Sequence, residues 1–168
     1  AQGSAGAGNL APANTDAGSD SPTDPSKPQI LCTACGGCEE TQKVVSTMHT
    51  TSPVVYKDPP PMSGPHNPCW ARYGIHDEPE QAERWVHNLE HGSVVFLYNC
   101  PQGCDAEVAR LKDMVNARSR TILTAYAALP KRFAVVSWGH RIVSDCMDEK
   151  AFTEFYAKYF DKGPETNV

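Results

Sequence analysis

Three histidines carry the strongest chemical signal in this chain: His66, His87 and His91. His87 and His91 stand four apart in His87-Asn88-Leu89-Glu90-His91-Gly92, so on a helical turn both imidazoles share a face and can grip one ion. Gly92 suits the left-handed position that ends such a turn and releases the chain into the apolar run that follows. His66 lies in a proline-rich stretch whose restricted backbone can deliver a third ligand. Imidazole binds Zn2+ and Cu2+ well, and copper ranks slightly ahead of zinc because an extracytoplasmic imidazole site with the Met62 thioether nearby suits it, although a packed side chain is the favoured reading of Met62. Ser63, Asn88 and Glu90 would surround the site, with Glu90 either fixing a histidine tautomer or facing solvent. The plainer alternative is that these histidines are satisfied polar groups at a strand edge.

The same residues admit a catalytic pattern. His87-x-x-Glu90-His91 fits the inverted zinc-peptidase motif, in which two histidines bind the ion and the glutamate is the general base. That chemistry needs an acidic third ligand from a further helix, and only Glu107 or Glu154 is placed to supply it, with no motif around either. His76 sits among Asp77, Glu78 and Glu80 and reads as a solvated face, whereas His140 could approach the main cluster if its strand pairs beside 94–98.

Cysteines form a second group, led by Cys32-Thr33-Ala34-Cys35-Gly36-Gly37-Cys38. Haem attachment requires His after the second Cys, but Gly36 and Glu39 occupy those positions. A redox pair should lie between a strand and a helix, which neither spacing here does clearly. Three thiolates with His49 as a distant fourth ligand could hold a metal, although oxidising conditions oppose it. Disulfides joining this segment to Cys69, Cys100, Cys104 and Cys146 are favoured, with Cys100 and Cys104 the best local pair. Seven is odd, so at least one Cys is left over.

The elements that must position these groups are legible from periodicity. Short strands are expected at 44–45 and 54–56, then an irregular loop over 58–80 with six Pro and two Gly. Residues 94–98 are continuously apolar and β-rich, the mark of a strand covered on both faces. A helix over 105–118, a strand over 122–126, one longer strand over 133–143 and a final helix capped by Asp148 follow. Phe152, Phe155, Tyr156, Tyr159 and Phe160 make a core stripe on that last helix, and Trp70, Trp85 and Trp138 wall the core or the site. The result is an α+β domain with helices on a small mixed sheet, in a β-α-β-β-α order compatible with a thioredoxin-like half.

Composition sets the surroundings. Residues 1–28 contain four Gly, four Pro and no aromatic residue, whereas residues 29–168 hold every aromatic, Cys and His of the chain. We therefore expect a flexible low-complexity tail over 1–28 and one α+β domain over 29–168. A net charge of −5 argues against a nucleic-acid partner, and no apolar run is long enough for a transmembrane segment. Cysteine usage points to an extracytoplasmic place: the periplasm, outer membrane or surface of a bacterium. The tail is similar in style to the spacer of a lipoprotein, so a lipid anchor upstream of Ala1 and a protein partner docked through the tail are expectations.

The segments PPPMSGPH (59–66), WARYG (70–74) and WVHNLEHGSVVFLYN (85–99) resemble the bacterial family known as domain of unknown function 3105 over about 43–160. The resemblance implies an exported, often tethered α+β domain whose shared polar residues are Ser63, His66, His87, Asn88, Glu90 and His91, and it implies no reaction. Met62 in place of Thr and the added cysteine cluster depart from the family pattern. The function expected is an exported or surface-tethered protein holding Cu or Zn through His66, His87 and His91. The alternatives are a disulfide-stapled structural subunit of a cell-surface assembly and a small zinc-dependent hydrolase.

Overall fold

The computed structural model describes residues 29–166, so the tail expected at 1–28, with its anchoring and docking roles, lies outside the described residues. In chain order the elements are β1 (Glu39–Thr41), β2 (Gly74–Ile75), α1 (Ala82–Glu90), β3 (Val94–Tyr98), α2 (Asp105–Asn116), β4 (Thr121–Ala125), β5 (Phe133–Ser137), β6 (His140–Ser144) and α3 (Glu149–Tyr159). The strands form one open sheet in the order β1-β6-β5-β3-β4-β2. β4 lies parallel to both β3 and β2, while β5 pairs antiparallel with β3 and β6, and β1 closes the far edge antiparallel to β6. Helices and a mixed sheet make the protein α+β, as the periodicity indicated. No helix among the described residues is long and apolar enough to cross a membrane.

β3 sits inside the sheet, and its alternation divides the interior into two layers. Val94 and Phe96 face a cluster built with Leu111, Met114 and Val115 of α2 and with Phe152, Phe155 and Tyr159 of α3. Val95 and Leu97 face the other way, onto Trp85, Val86 and Leu89 of α1. Met62 and Ala71 from the proline-rich loop complete that second layer, so the loop acts as packing rather than as a free connection. Asp148 caps α3 by accepting a hydrogen bond from the Ala151 N–H at 3.0 Å.

Three sequence expectations change. Residues 44–45 and 54–56 are not strands: Val45 and Val55 are 67% and 89% exposed, since β-branched propensity without a partner strand to pack against does not make a strand. The single strand expected over 133–143 is the hairpin β5–β6, because Gly139 adopts φ +78° and reverses the chain within a stretch that is buried on both sides of the turn. The order from β3 onward is therefore β-α-β-β-β-α, one strand more than expected.

The cysteines pair as Cys32–Cys38, Cys35–Cys146 and Cys100–Cys104, leaving exposed Cys69 as the odd thiol. A three-thiolate metal site at 32–38 is thereby excluded. Cys35–Cys146 spans 111 residues and ties the start of the described chain to the link between β6 and α3.

Candidate metal centre

Helix α1 ends in a way that places its last turn. His91 is the C-cap, the Gly92 N–H donates to the Leu89 carbonyl at 2.9 Å, and the Ser93 N–H donates to the Asn88 carbonyl at 3.0 Å. This pair of bonds is a Schellman motif, and Gly92, at φ +79°, supplies the left-handed residue it needs. The chain then passes directly into β3. His87 and Glu90 thus sit on the final helical turn with His91 just beyond, directly ahead of the buried strand β3.

Asn88 fastens this turn to the proline-rich loop. Its Oδ1 accepts from the Ala71 N–H at 2.8 Å and its Nδ2 donates to the Ala71 carbonyl at 3.0 Å. The loop carries His66 to the helix. A parallel bridge then brings in a residue from earlier in the chain: the His66 N–H donates to the Met48 carbonyl at 3.0 Å, and the Thr50 N–H donates to the His66 carbonyl at 2.7 Å. His49, between those two residues, lands beside His66. Ser63 supports the same segment, its Oγ accepting from the Val45 N–H at 2.9 Å.

Donor atoms of His49, His66, His87 and Glu90 consequently lie within 4.8 Å of one another. The three imidazole rings are 4.8–5.0 Å apart, centroid to centroid. His66, His87 and Glu90 are buried, whereas His49 is exposed. Each buried ring is oriented by a backbone carbonyl: His66 Nδ1 donates to Gly64 O at 2.8 Å and His87 Nδ1 to Asn67 O at 2.7 Å. A carbonyl only accepts, so Nδ1 carries the proton and Nε2 of the neutral ring keeps its lone pair. This is how protein groups around metal-ligating histidines fix the tautomer.

The contact between His66 Nε2 and Glu90 Oε2, at 3.0 Å, joins two electron-rich atoms in a buried place. Such a pair is stable only with a cation or a proton between them. His49 Nε2 approaches the same oxygen at 3.8 Å. Burial holds the His87 imidazole neutral down to about pH 4, the neighbouring His66, His91 and His49 adding to that effect against the opposing Asn67 hydrogen bond. Trp70 lies edge-on to His87 and His91, with ring centroids 5.5 and 5.0 Å away, and Trp138 stands edge-on to His66. Trp85 belongs to the core.

The structure brings His66 and His87 together as expected and adds His49 and Glu90. His91 lies next to His87, 4.8 Å between ring centroids, and groups with Glu90 and Glu165. Glu90 is buried at 1% exposure and does not face solvent. Sequence spacing gave no sign of His49 as a neighbour of His66, because a backbone bridge and not a motif unites them. Met62 is packed in the second core layer. His140 stacks on Tyr159 at 4.1 Å and bonds to Thr41, taking no part in the histidine cluster. His76 meets Glu80 and the Arg72 carbonyl instead of forming a freely solvated face. Glu107 pairs with Arg132 and Glu154 with Lys150, so neither supplies the acidic ligand the inverted peptidase motif requires.

No curated protein and no solved structure matches the chain. One family model does match, over residues 48–168, which includes every residue of the histidine–carboxylate cluster and is described as protein of unknown function (DUF3105). The histidine-bearing segments that resemble this family are the ones the fold gathers at the end of α1, and the chain belongs to the DUF3105 family.

Proposed function

We propose that this protein binds a divalent transition-metal ion, Cu2+ or Zn2+, through His49, His66, His87 and Glu90. The observation that carries the reading is the tautomer arrangement. Two buried imidazoles spend Nδ1 on backbone carbonyls, and the free nitrogen of His66 abuts a buried carboxylate oxygen. Three nitrogens and one oxygen form a donor set that suits either ion. Met62 no longer favours copper, since its thioether is committed to the core. His91 flanks this set instead of completing it.

The disulfides support an extracytoplasmic place for the protein, where oxidised cysteines persist. Elemental analysis of protein purified without chelator, then stripped and reloaded with Cu2+ or Zn2+, tests the reading. Metal should bind the native chain and be lost in both His66→Ala and His87→Ala. A native chain that binds neither ion overturns it and favours a disulfide-stapled structural subunit.

A further inference from the structure

The residues beside the first cluster form a second one. Donor atoms of Glu90, His91 and Glu165 also lie within 4.8 Å of one another, so Glu90 belongs to both groups. Its Oε2 faces His66 and His49, whereas Oε1 is buried with no hydrogen-bond partner among the described residues. A carboxylate oxygen buried without a partner forfeits the interactions water would give it, and a bound cation restores them.

The chain beyond α3 returns to build this place. The Asp161 N–H donates to Gly92 O at 2.8 Å and the Glu165 N–H donates to Glu90 O at 3.1 Å, clamping the last segment along the end of α1. Gly163 permits the close approach, since a Cβ there would collide with the Glu90 carbonyl. His91 Nδ1 donates to the Glu165 carbonyl at 2.7 Å, which again leaves Nε2 with its lone pair. No Lys or Arg among the described residues pairs with the exposed Glu165 carboxylate.

We propose that Glu90 bridges two divalent cations, the first held with His49, His66 and His87, the second with His91 and Glu165. This rests on the metal-binding reading above. The second position offers carboxylate oxygens and one imidazole, a harder set than the first, suited to Mn2+, Fe2+ or Zn2+ and weaker than the nitrogen-rich position. The shared negative charge of Glu90 offsets the repulsion between two neighbouring cations.

Calorimetric titration of the metal-free full chain with Zn2+ tests this, alongside electron paramagnetic resonance of the Mn2+-loaded protein. The native chain should take up about two ions in a tight and a weaker step, and Mn2+ should give an exchange-coupled spectrum. Glu165→Gln, at an exposed position, should keep the tight step and lose the weaker one and the coupling. A native chain that binds one ion, with Glu165→Gln unchanged, overturns the second position and leaves the first standing. Loss of the only ion in His91→Ala also overturns it, because His91 then serves the first position. Failure of the native chain to bind any ion removes the parent reading as well.

Discussion

Glu90→Gln separates a metal ligand from a structural ion pair, because the two roles predict opposite behaviour in the metal-free and metal-loaded protein. Glutamine keeps the shape and can donate an amide hydrogen to His66 Nε2 across the present 3.0 Å contact. The metal-free variant should therefore melt within a few degrees of the native chain. If Glu90 serves instead as the partner of a buried charged histidine, its removal costs about 3–5 kcal/mol. For a domain of this size, at about 2–4 °C per kcal/mol, that is a fall of roughly 6–20 °C. Metal moves the other way: at about a thousand times its dissociation constant, an ion stabilises the folded state by about 4 kcal/mol, or roughly 8–16 °C. A hundredfold loss of affinity in the variant removes about 2.7 kcal/mol of this and leaves a shift of roughly 3–6 °C. Thermal melts of stripped protein with and without Zn2+ or Cu2+ read both quantities. A metal-free melt far below the native one, together with an undiminished metal-induced shift, refutes the ligand role.

Other outcomes follow from the same structure. Burial keeps His87 neutral to about pH 4 while the unfolded chain takes up that proton near 6.5, so metal-free stability should be level above pH 6.5 and fall as pH drops toward 4; an imidazole NMR titration of His87 with a midpoint near 6.5 contradicts this. Replacing Cys35 and Cys146 by Ser opens a link spanning 111 residues, for which chain entropy gives about 5 kcal/mol, against about 2 kcal/mol for Cys100–Cys104, which spans 4. Guanidinium unfolding of the two double variants should rank them in that order, and equal losses would count against the loop-length account. Gly92→Ala forces a side chain into a φ of +79° and sets its Cβ 2.8 Å from Asp161 Cα, so it should destabilise the fold by at least about 1 kcal/mol and weaken metal uptake, both measured on the purified variant.

Where an element buries its own periodic face, the sequence announced it. The apolar run of β3, the helix α2, the Asp148-capped aromatic stripe of α3 and the pairing of Cys100 with Cys104 were all legible. The valines at 44–45 and 54–55 misled because propensity says nothing about whether a partner strand is present, and these residues pass along the surface of the proline-rich loop. The hairpin at Trp138-Gly139 was hidden because burial continues on both sides of the turn. At the site, His66 and His87 were legible from residue type and setting. His49 and Glu165 were not, since each arrives by main-chain hydrogen bonds, from distant parts of the chain, that no local pattern records.

The Cys35–Cys146 bond also decides how the protein carries force. A pull applied between its two ends enters the domain near Cys35 and crosses by a covalent bond to the start of α3. The strands β1 to β6, the proline-rich loop and the cluster of His49, His66, His87 and Glu90 all lie in the bypassed stretch and feel no extension along the backbone. Among the described residues, those up to Cys35 and those from Cys146 onward stay in line with the load, and the latter include the return that presents Glu165 to Glu90. Tension should therefore draw Glu165 away from Glu90 and His91, opening the proposed second cation position while leaving the His49–His66–His87–Glu90 cluster intact.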